Sequence, residues 1–251
     1  MNKNGKAKKA LNTLQFFGAA LVFAGLIIYV SFRSGSNLEF SLMFEYSDLL
    51  LEGLKNTLII SAWSLLFGLM LGFVLYMARE SRIYFIKSLS NIFIEVMMGT
   101  PLLVLVFIAA FFIGPAFGYR NRYVLGIISL TVYIGPYMAN MFKSAIDSID
   151  KSQFIVMDLY GFSKFQRYRY IILPQILRRM IPSLMNNFTY AIKGSSLMYI
   201  ISVTEIAYAI KLIQSKNFAY TEGYLMLWFA YLAITLPLTL ISKTLERRYN
   251  I

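Results

Sequence analysis

Long apolar runs alternate with short polar links along this chain, and the run lengths set the first expectation. Ala10 to Phe32 and Asn56 to Ala78 are charge-free runs of 23 residues each. Tyr123 to Phe142 and Gly223 to Ser242 are charge-free runs of 20. A helix rises 1.5 Å per residue, so about 20 apolar residues cross the ~30 Å hydrocarbon core of a bilayer. Two further apolar regions each carry one charge: about Leu89 to Ile113, with Glu95, and Met180 to Thr204, with Lys193. The pattern predicts an all-α integral membrane protein with six transmembrane helices. Gly99-Thr100-Pro101 interrupts the third span. Pro101 must free a carbonyl or kink the helix, which a membrane tolerates only where neighbours re-satisfy the backbone. Gly135-Pro136 predicts a bend in the fourth.

The links separate a first segment, 1–46, from a helical domain, 47–251, in which 143–179 is the longest polar loop. Met1 to Lys9 carries Lys3, Lys6, Lys8 and Lys9 and no acid. A cleaved signal peptide shares that basic start. The next apolar run exceeds a signal core of about 7–15 residues and shows no small-x-small cleavage site, so it reads as a retained first helix. Glu205 to Glu222 reads as a polar link between the last two spans. Placing both termini in the cytoplasm puts 17 Lys/Arg inside and 6 outside, which the positive-inside rule favours.

Composition narrows the class further. Apolar residues make up 58%, charged residues 14%, and mean hydropathy is +0.62, which opposes a soluble globule. A net charge of +12 suggests nucleic acid in a soluble protein; here the lipid membrane and the positive-inside bias account for it, and no nucleic acid is expected. With no Cys and no His there is no disulfide, thiolate or imidazole ligand, or His base. No Gly-x-x-x-x-Gly-Lys-Ser/Thr phosphate loop and no acid-rich metal cluster occurs, so ATP, if it drives this chain, binds elsewhere.

The 37-residue loop from Lys143 to Arg179 carries seven Lys/Arg against three Asp. Gly161 permits a tight turn with positive φ between two short helices. Phe162 and Phe165 offer an exposed apolar edge, rimmed by Lys164, Arg167 and Arg169, as in a protein contact. Phe162, Phe165, Tyr168 and Tyr170 would equally suit the lipid interface, and the residues leave both readings open. Within the spans a charge costs about 2.5–3.5 kcal/mol at mid-helix, so Glu95 and Lys193 are functional candidates. Glu95 could reach the cytoplasmic headgroups, whereas Lys193, with 13 uncharged residues before it and 11 after, lies deep. Asn186, Asn187, Ser195 and Ser196 cluster near it and could bond a substrate or stitch helices together.

Several motifs occur in a telling order. They are Asn56-Thr57-Leu58, Gly99-Thr100-Pro101-Leu102-Leu103-Val104, Ile155-Val156-Met157 with Gly161 and Leu173-Pro174-Gln175, Lys193-Gly194-Ser195-Ser196-Leu197, and Leu245-Glu246-Arg247-Arg248-Tyr249. Together they resemble the permease subunits of ABC importers, specifically the polar amino acid permease family, over about residues 47 to 249. The first helix is an addition to that core. The resemblance implies a transport subunit that is not an enzyme. ATP and magnesium would sit on partner ABC ATPase subunits, and an extracytoplasmic substrate-binding protein would deliver an amino acid. It implies a bacterial cytoplasmic (inner) membrane location. It makes Ile155, Asp158, Gly161, Phe162, Ser163, Lys164 and Phe165 the ATPase-coupling loop. Glu95, Thr100, Asn186, Asn187, Lys193, Ser195 and Ser196 become candidates for the translocation path.

The departures are Ile155 for the loop glutamate, Met98 for the arginine before Gly-Thr-Pro, and Leu105 for a glutamine. Acidic positions of the family are Asn140, Asn187 and Gly194 here. They favour a heterodimer with a second permease subunit over a homodimer. Alternatives are a permease for methionine or another small nutrient, and a stand-alone secondary carrier, which would need internal repeats and paired intramembrane charges. A membrane enzyme is opposed by the lack of His, Cys and clustered acids.

Overall fold

Helix α1, Ser47–Arg79, shows how this sequence builds its packing. Its buried residues Gly53, Thr57, Ser61, Ser64, Gly68 and Gly72 recur every three or four positions and form a stripe of small side chains. In a bilayer, such stripes let helix backbones approach closely, where dispersion and short hydrogen bonds replace the hydrophobic drive. The later part of the stripe, Ser64, Gly68 and Gly72, approaches α4, Arg122–Asp147, while Gly53 and Thr57 meet residues 205–209. A Cβ on Gly72 would lie 2.3 Å from Met138 Cβ, and one on Gly135 would lie 2.7 Å from Leu71 Cδ2. Gly72, which also faces backbone of α4 at 2.9 Å, does not accept a side chain without moving the helices apart, whereas at Gly135 the Leu71 side chain would have to shift.

The structure is a computed structural model, and it describes residues 18, 21, 22, 25, 29, 33 and 38–249. The basic segment Met1 to Lys9 and nearly all of the first expected span lie outside the described residues. The chain divides into two units, Met1–Ser41 and Leu42–Ile251, and α1 and α4 both belong to the second. Among the described residues regular structure is entirely helical.

The third span is not one kinked helix. α2, Tyr84–Gly99, ends at Thr100, and α3, Leu102–Phe107, leads into a π turn, Ile108–Ile113, and a last turn, Gly114–Ala116, at 107° to α2. Proline disfavours the helical conformation in the residue before it, and Thr100 is extended, with ψ 126°. By contrast, Pro136 is accommodated inside α4.

After α4 come two short helices, α5, Lys151–Leu159, and α6, Lys164–Gln166. A π turn, Arg167–Ile172, then leads into α7, Leu173–Ser195. A 3-10 stretch, Ser196–Ile201, ends at Ser202 in the left-handed region, φ 61°. The expected polar link after it is mostly helix: α8, Ile206–Asn217, bent 46° from the preceding segment. Ile206, Ile210 and Ile213 form a buried stripe at helical spacing, which segmentation by charge alone overlooks. α9, Tyr220–Tyr249, completes the fold. Three of the described helices are long and apolar enough to cross a membrane, or five if each bent pair is one span. The main core joins Ile134, Met138 and Met141 of α4 to Met157, Ile172, Ile176 and Met180.

Candidate functional site

The polar stretch between α4 and α7 folds as helix, turn and helix, each end fixed by a local bond. Asp150 caps α5 by accepting from the Ser152 N–H at 2.8 Å, and that bond holds its carboxyl below the usual carboxylate range. α5 ends with the Phe162 N–H donating to the Met157 carbonyl and the Gly161 N–H to the Asp158 carbonyl, both at 3.0 Å. This Schellman pattern needs a left-handed residue, and Gly161 supplies it at φ 66°. Ser163 then opens α6 with a capping box. Its hydroxyl accepts from the Gln166 N–H at 3.3 Å, and Gln166 Oε1 accepts from the Ser163 N–H at 2.9 Å.

The turn sorts its apolar residues into two sets. Phe162, expected on the exposed edge, is instead half-buried and joins Met157 against the main core. The Schellman pattern explains this correction, because it brings the residue after the glycine onto the last turn of the helix. Outside remain Ile155, Val156, Leu159, Tyr160 and Phe165, with Leu159 81% and Tyr160 78% exposed. Lys164 and Arg169 are exposed beside them.

Polar ties bind this segment to its neighbours. Gln175 Nε2 donates to Gln153 Oε1 at 2.9 Å, and the Arg179 guanidinium donates to the carbonyl and hydroxyl of Ser148. Lys143 Nζ lies 3.5 Å from Glu80 and 3.6 Å from Asp147. Arg167 pairs with Asp158, and its Nε donates to the Phe162 carbonyl at 2.8 Å. With side chains this exposed, such ion pairs contribute only about 0–1 kcal/mol each.

Between α4 and α7 lies a cavity of about 290 Å³ lined by Tyr133, Ile134, Tyr137, Asn187 and Tyr190. Tyr133 and Tyr137 stand one turn apart on α4 and Asn187 and Tyr190 on α7, so two facing helices supply the rings and the amide. Of the sequence-derived path residues, Asn187 lines this cavity, its Nδ2 donating to the Ser183 carbonyl at 2.9 Å. Lys193 is exposed on the same helix, and Glu95 is exposed on α2. Asn186 is exposed and accepts from the Ser242 hydroxyl at 3.4 Å. Ser195 is fully buried, its hydroxyl donating to the Ile192 carbonyl at 2.8 Å. The hydroxyls of Ser196 and Thr100 likewise donate within their own chain segments, to Lys193 and Val96, at 2.6 Å. Such back-bonding satisfies a hydroxyl locally.

Sequence reasoning missed Glu205. Its side chain is fully buried at the break before α8. Oε1 accepts from the Tyr208 N–H and Oε2 from the Tyr231 hydroxyl, both at 2.8 Å. Beside it, Thr57 accepts from the Ile206 N–H at 3.1 Å, and Asn56 Nδ2 donates to the Thr204 carbonyl at 2.7 Å. The carboxylate thus ties α8 to α9, and the Thr57 and Asn56 bonds tie α1 to the same break. An acidic residue directly before an apolar helical stripe is an N-cap signal, and it was present in the sequence. A second missed contact joins Arg79 Nη1 to Asn140 Oδ1 at 2.9 Å, at the end of α1.

Comparison with known proteins matches this arrangement. The profile of the family described as "Binding-protein-dependent transport system inner membrane component" matches residues 64–251. The glutamine transport system permease protein of Escherichia coli is 34% identical over 215 residues, 85% of this chain and 98% of its own. The probable amino-acid ABC transporter permease protein PatM of Vibrio harveyi is 31% identical over 215 residues, 84% of this chain and 96% of its own. Among solved structures, an amino acid ABC transporter crystallised with histidines superposes with TM-score 0.77 at 27% identity, covering 85% of this chain and all of that one. The MetNI methionine ABC transporter shares the fold at 18% identity, TM-score 0.64, over 80% of this chain and 96% of that one. The chain belongs to the family of binding-protein-dependent transport system inner membrane components.

Proposed function

We propose that this chain is the membrane-embedded subunit of an ATP-driven importer that carries an amino acid across the bacterial cytoplasmic membrane. The exposed edge of Leu159, Tyr160 and Phe165 on a rigidly capped turn carries the coupling part of this reading. It has the apolar centre and basic rim of a docking surface. A separate ATPase subunit, binding ATP and magnesium, docks there. Its closure shifts the segment, and the ties Arg179–Ser148 and Gln175–Gln153 pass the shift to α4 and α7, which flank the tyrosine–asparagine cavity. An external binding protein delivers the substrate.

The cavity suits an amino acid that carries no net charge. Among the described residues its lining has phenol hydroxyls, ring faces and one amide, and no ionised side chain. Lys193, three residues beyond Tyr190 on α7, supplies the cation for the substrate's α-carboxylate. The names of the two relatives, a glutamine permease and an amino-acid permease, support the same class. Both termini and the 143–179 loop face the cytoplasm in this reading, supported by the 17:6 charge bias.

The experiment is reconstitution of the chain with its ATPase, its binding protein and a second permease subunit in liposomes, scoring uptake of amino acids and ATP hydrolysis. Lys193→Met and Asn187→Ala are each expected to cut uptake about tenfold, the loss of one charge-assisted bond, while basal hydrolysis persists. Leu159→Asp is expected to lose the ATPase on co-purification. Full uptake by both path variants would overturn the cavity as the route.

A further inference from the structure

Arg167 is the first residue of the π turn that leads into α7, and it reaches back across the turn at Gly161. Its Nε donates to the Phe162 carbonyl at 2.8 Å, and its Nη1 pairs with the Asp158 carboxylate. One guanidinium therefore holds the last turn of α5 and the residue after Gly161 from the start of the following helical segment. Its planar fork fixes both acceptors at a set angle, which a lysine ammonium does not. Asp158 is held from a second side, because its carbonyl accepts from the Gly161 N–H. Directly after Asp158 come Leu159 and Tyr160, the two most exposed apolar side chains of the segment. The paired side chains are 22% and 62% exposed, so the bridge is too wet to be a main source of stability. What it can set is an angle.

We infer that Arg167 is a positioning residue: it fixes the presentation of Leu159 and Tyr160 and makes α5, the turn and the start of α7 move as one body. The inference rests on the coupling role proposed for this segment. Gly161 has no Cβ, and a Cβ built there would meet nothing within 4 Å, so among the described residues, beyond its backbone caps and the inward Phe162, only the Arg167 guanidinium braces the turn against rotation. Without the guanidinium, a push on Leu159 and Tyr160 is absorbed at Gly161 instead of reaching α7. ATP is then hydrolysed with little transport, so the signature is uncoupling and not loss of assembly.

The test measures uptake and ATP hydrolysis on the same reconstituted transporter, reported as substrate moved per ATP. Arg167→Glu sets two carboxylates side by side. It is expected to keep ATPase association and basal hydrolysis within about twofold, as for loss of an exposed pair. Substrate moved per ATP is expected to fall about tenfold, within the range of coupling perturbations. Arg167→Lys keeps the charge without the fork and should fall between. Exchanging the pair, Asp158→Arg with Arg167→Asp, should recover part of the ratio. A purely structural role would lower yield and both activities together at an unchanged ratio, and that result overturns the inference. Should Arg167→Glu fail to assemble, the ratio in Arg167→Lys and Arg167→Gln decides, and a parental value in both overturns it. Leu159→Asp, run alongside, separates the two claims. If it retains the ATPase and full uptake, the coupling reading falls and the inference falls with it. If it loses the ATPase while Arg167→Glu keeps the parental ratio, only the inference falls.

Discussion

Gly161 and Thr131 show how much can hang on one atom. At Gly161, φ is 66° and a Cβ would meet nothing within 4 Å, so the penalty for a side chain lies in the backbone and not in packing. Alanine there is expected to cost about 1–2 kcal/mol and valine more, whereas asparagine tolerates the left-handed region. Thermal midpoints in detergent check this: Gly161→Asn should sit nearest the parent and Gly161→Val lowest, and equal values would contradict the left-handed turn. Thr131 presents the opposite case. Its hydroxyl is buried without a hydrogen-bond partner among the described residues, while the residue itself lines an apolar groove of about 390 Å³ with Trp63 and Phe67. An unsatisfied buried hydroxyl costs about 1–3 kcal/mol, and valine keeps the shape while removing it. Thr131→Val is expected to raise the thermal midpoint of the isolated chain. A fall in that midpoint would show that the hydroxyl is satisfied after all.

At the scale of elements, the long helices were legible and their interruptions were not. Runs such as Asn56 to Ala78 announce a helix by the absence of charge, and α1 contains that run whole. Pro101 announced a disturbance, yet a 107° break depends on what packs on either side of it, which no local pattern states. Glu205 was hidden for the same kind of reason. Charge read as exposure, whereas the bonds from Tyr208 and Tyr231 come from residues 3 and 26 positions away and make burial tolerable. In the loop, Gly161 was legible because only backbone chemistry decides it, while the inward turn of Phe162 needed the core it packs on. Two tests belong here. Tyr231→Phe should cost about 1–3 kcal/mol, because a buried carboxylate oxygen loses its donor, and thermal unfolding measures it. Gly72→Ala drives a Cβ to 2.3 Å from Met138 Cβ and should cost about 3 kcal/mol or prevent assembly, whereas Gly99→Ala, with open space around it, should fold as the parent does.

For the whole molecule, the question is what a polar substrate meets along the bilayer. A hydrogen-bonding group that leaves water without a new partner costs several kcal/mol, so a transport route needs polar partners along its length. This chain offers Tyr133, Tyr137, Asn187 and Tyr190 around its cavity, with Lys193 exposed nearby on α7. Glu205, the one carboxylate buried at the broken span, already accepts from Tyr208 and Tyr231. Little of the apolar length of α9 is buried, so a wide apolar face is left for lipid or another subunit. Two copies of this chain would face each other with phenols, amides and two lysines, and with no free carboxylate from these residues to receive the substrate's ammonium group. A second, different permease chain carrying acidic groups at the facing positions would complete the route. The expectation is therefore a heterodimer, and it can be tested by assembly. The chain, its ATPase and its binding protein, reconstituted without any other permease, should give little ligand-stimulated hydrolysis or uptake, and both should return when the second permease is added. Robust uptake from the three components alone would establish a homodimer and place the substrate's ammonium group among tyrosines and asparagines.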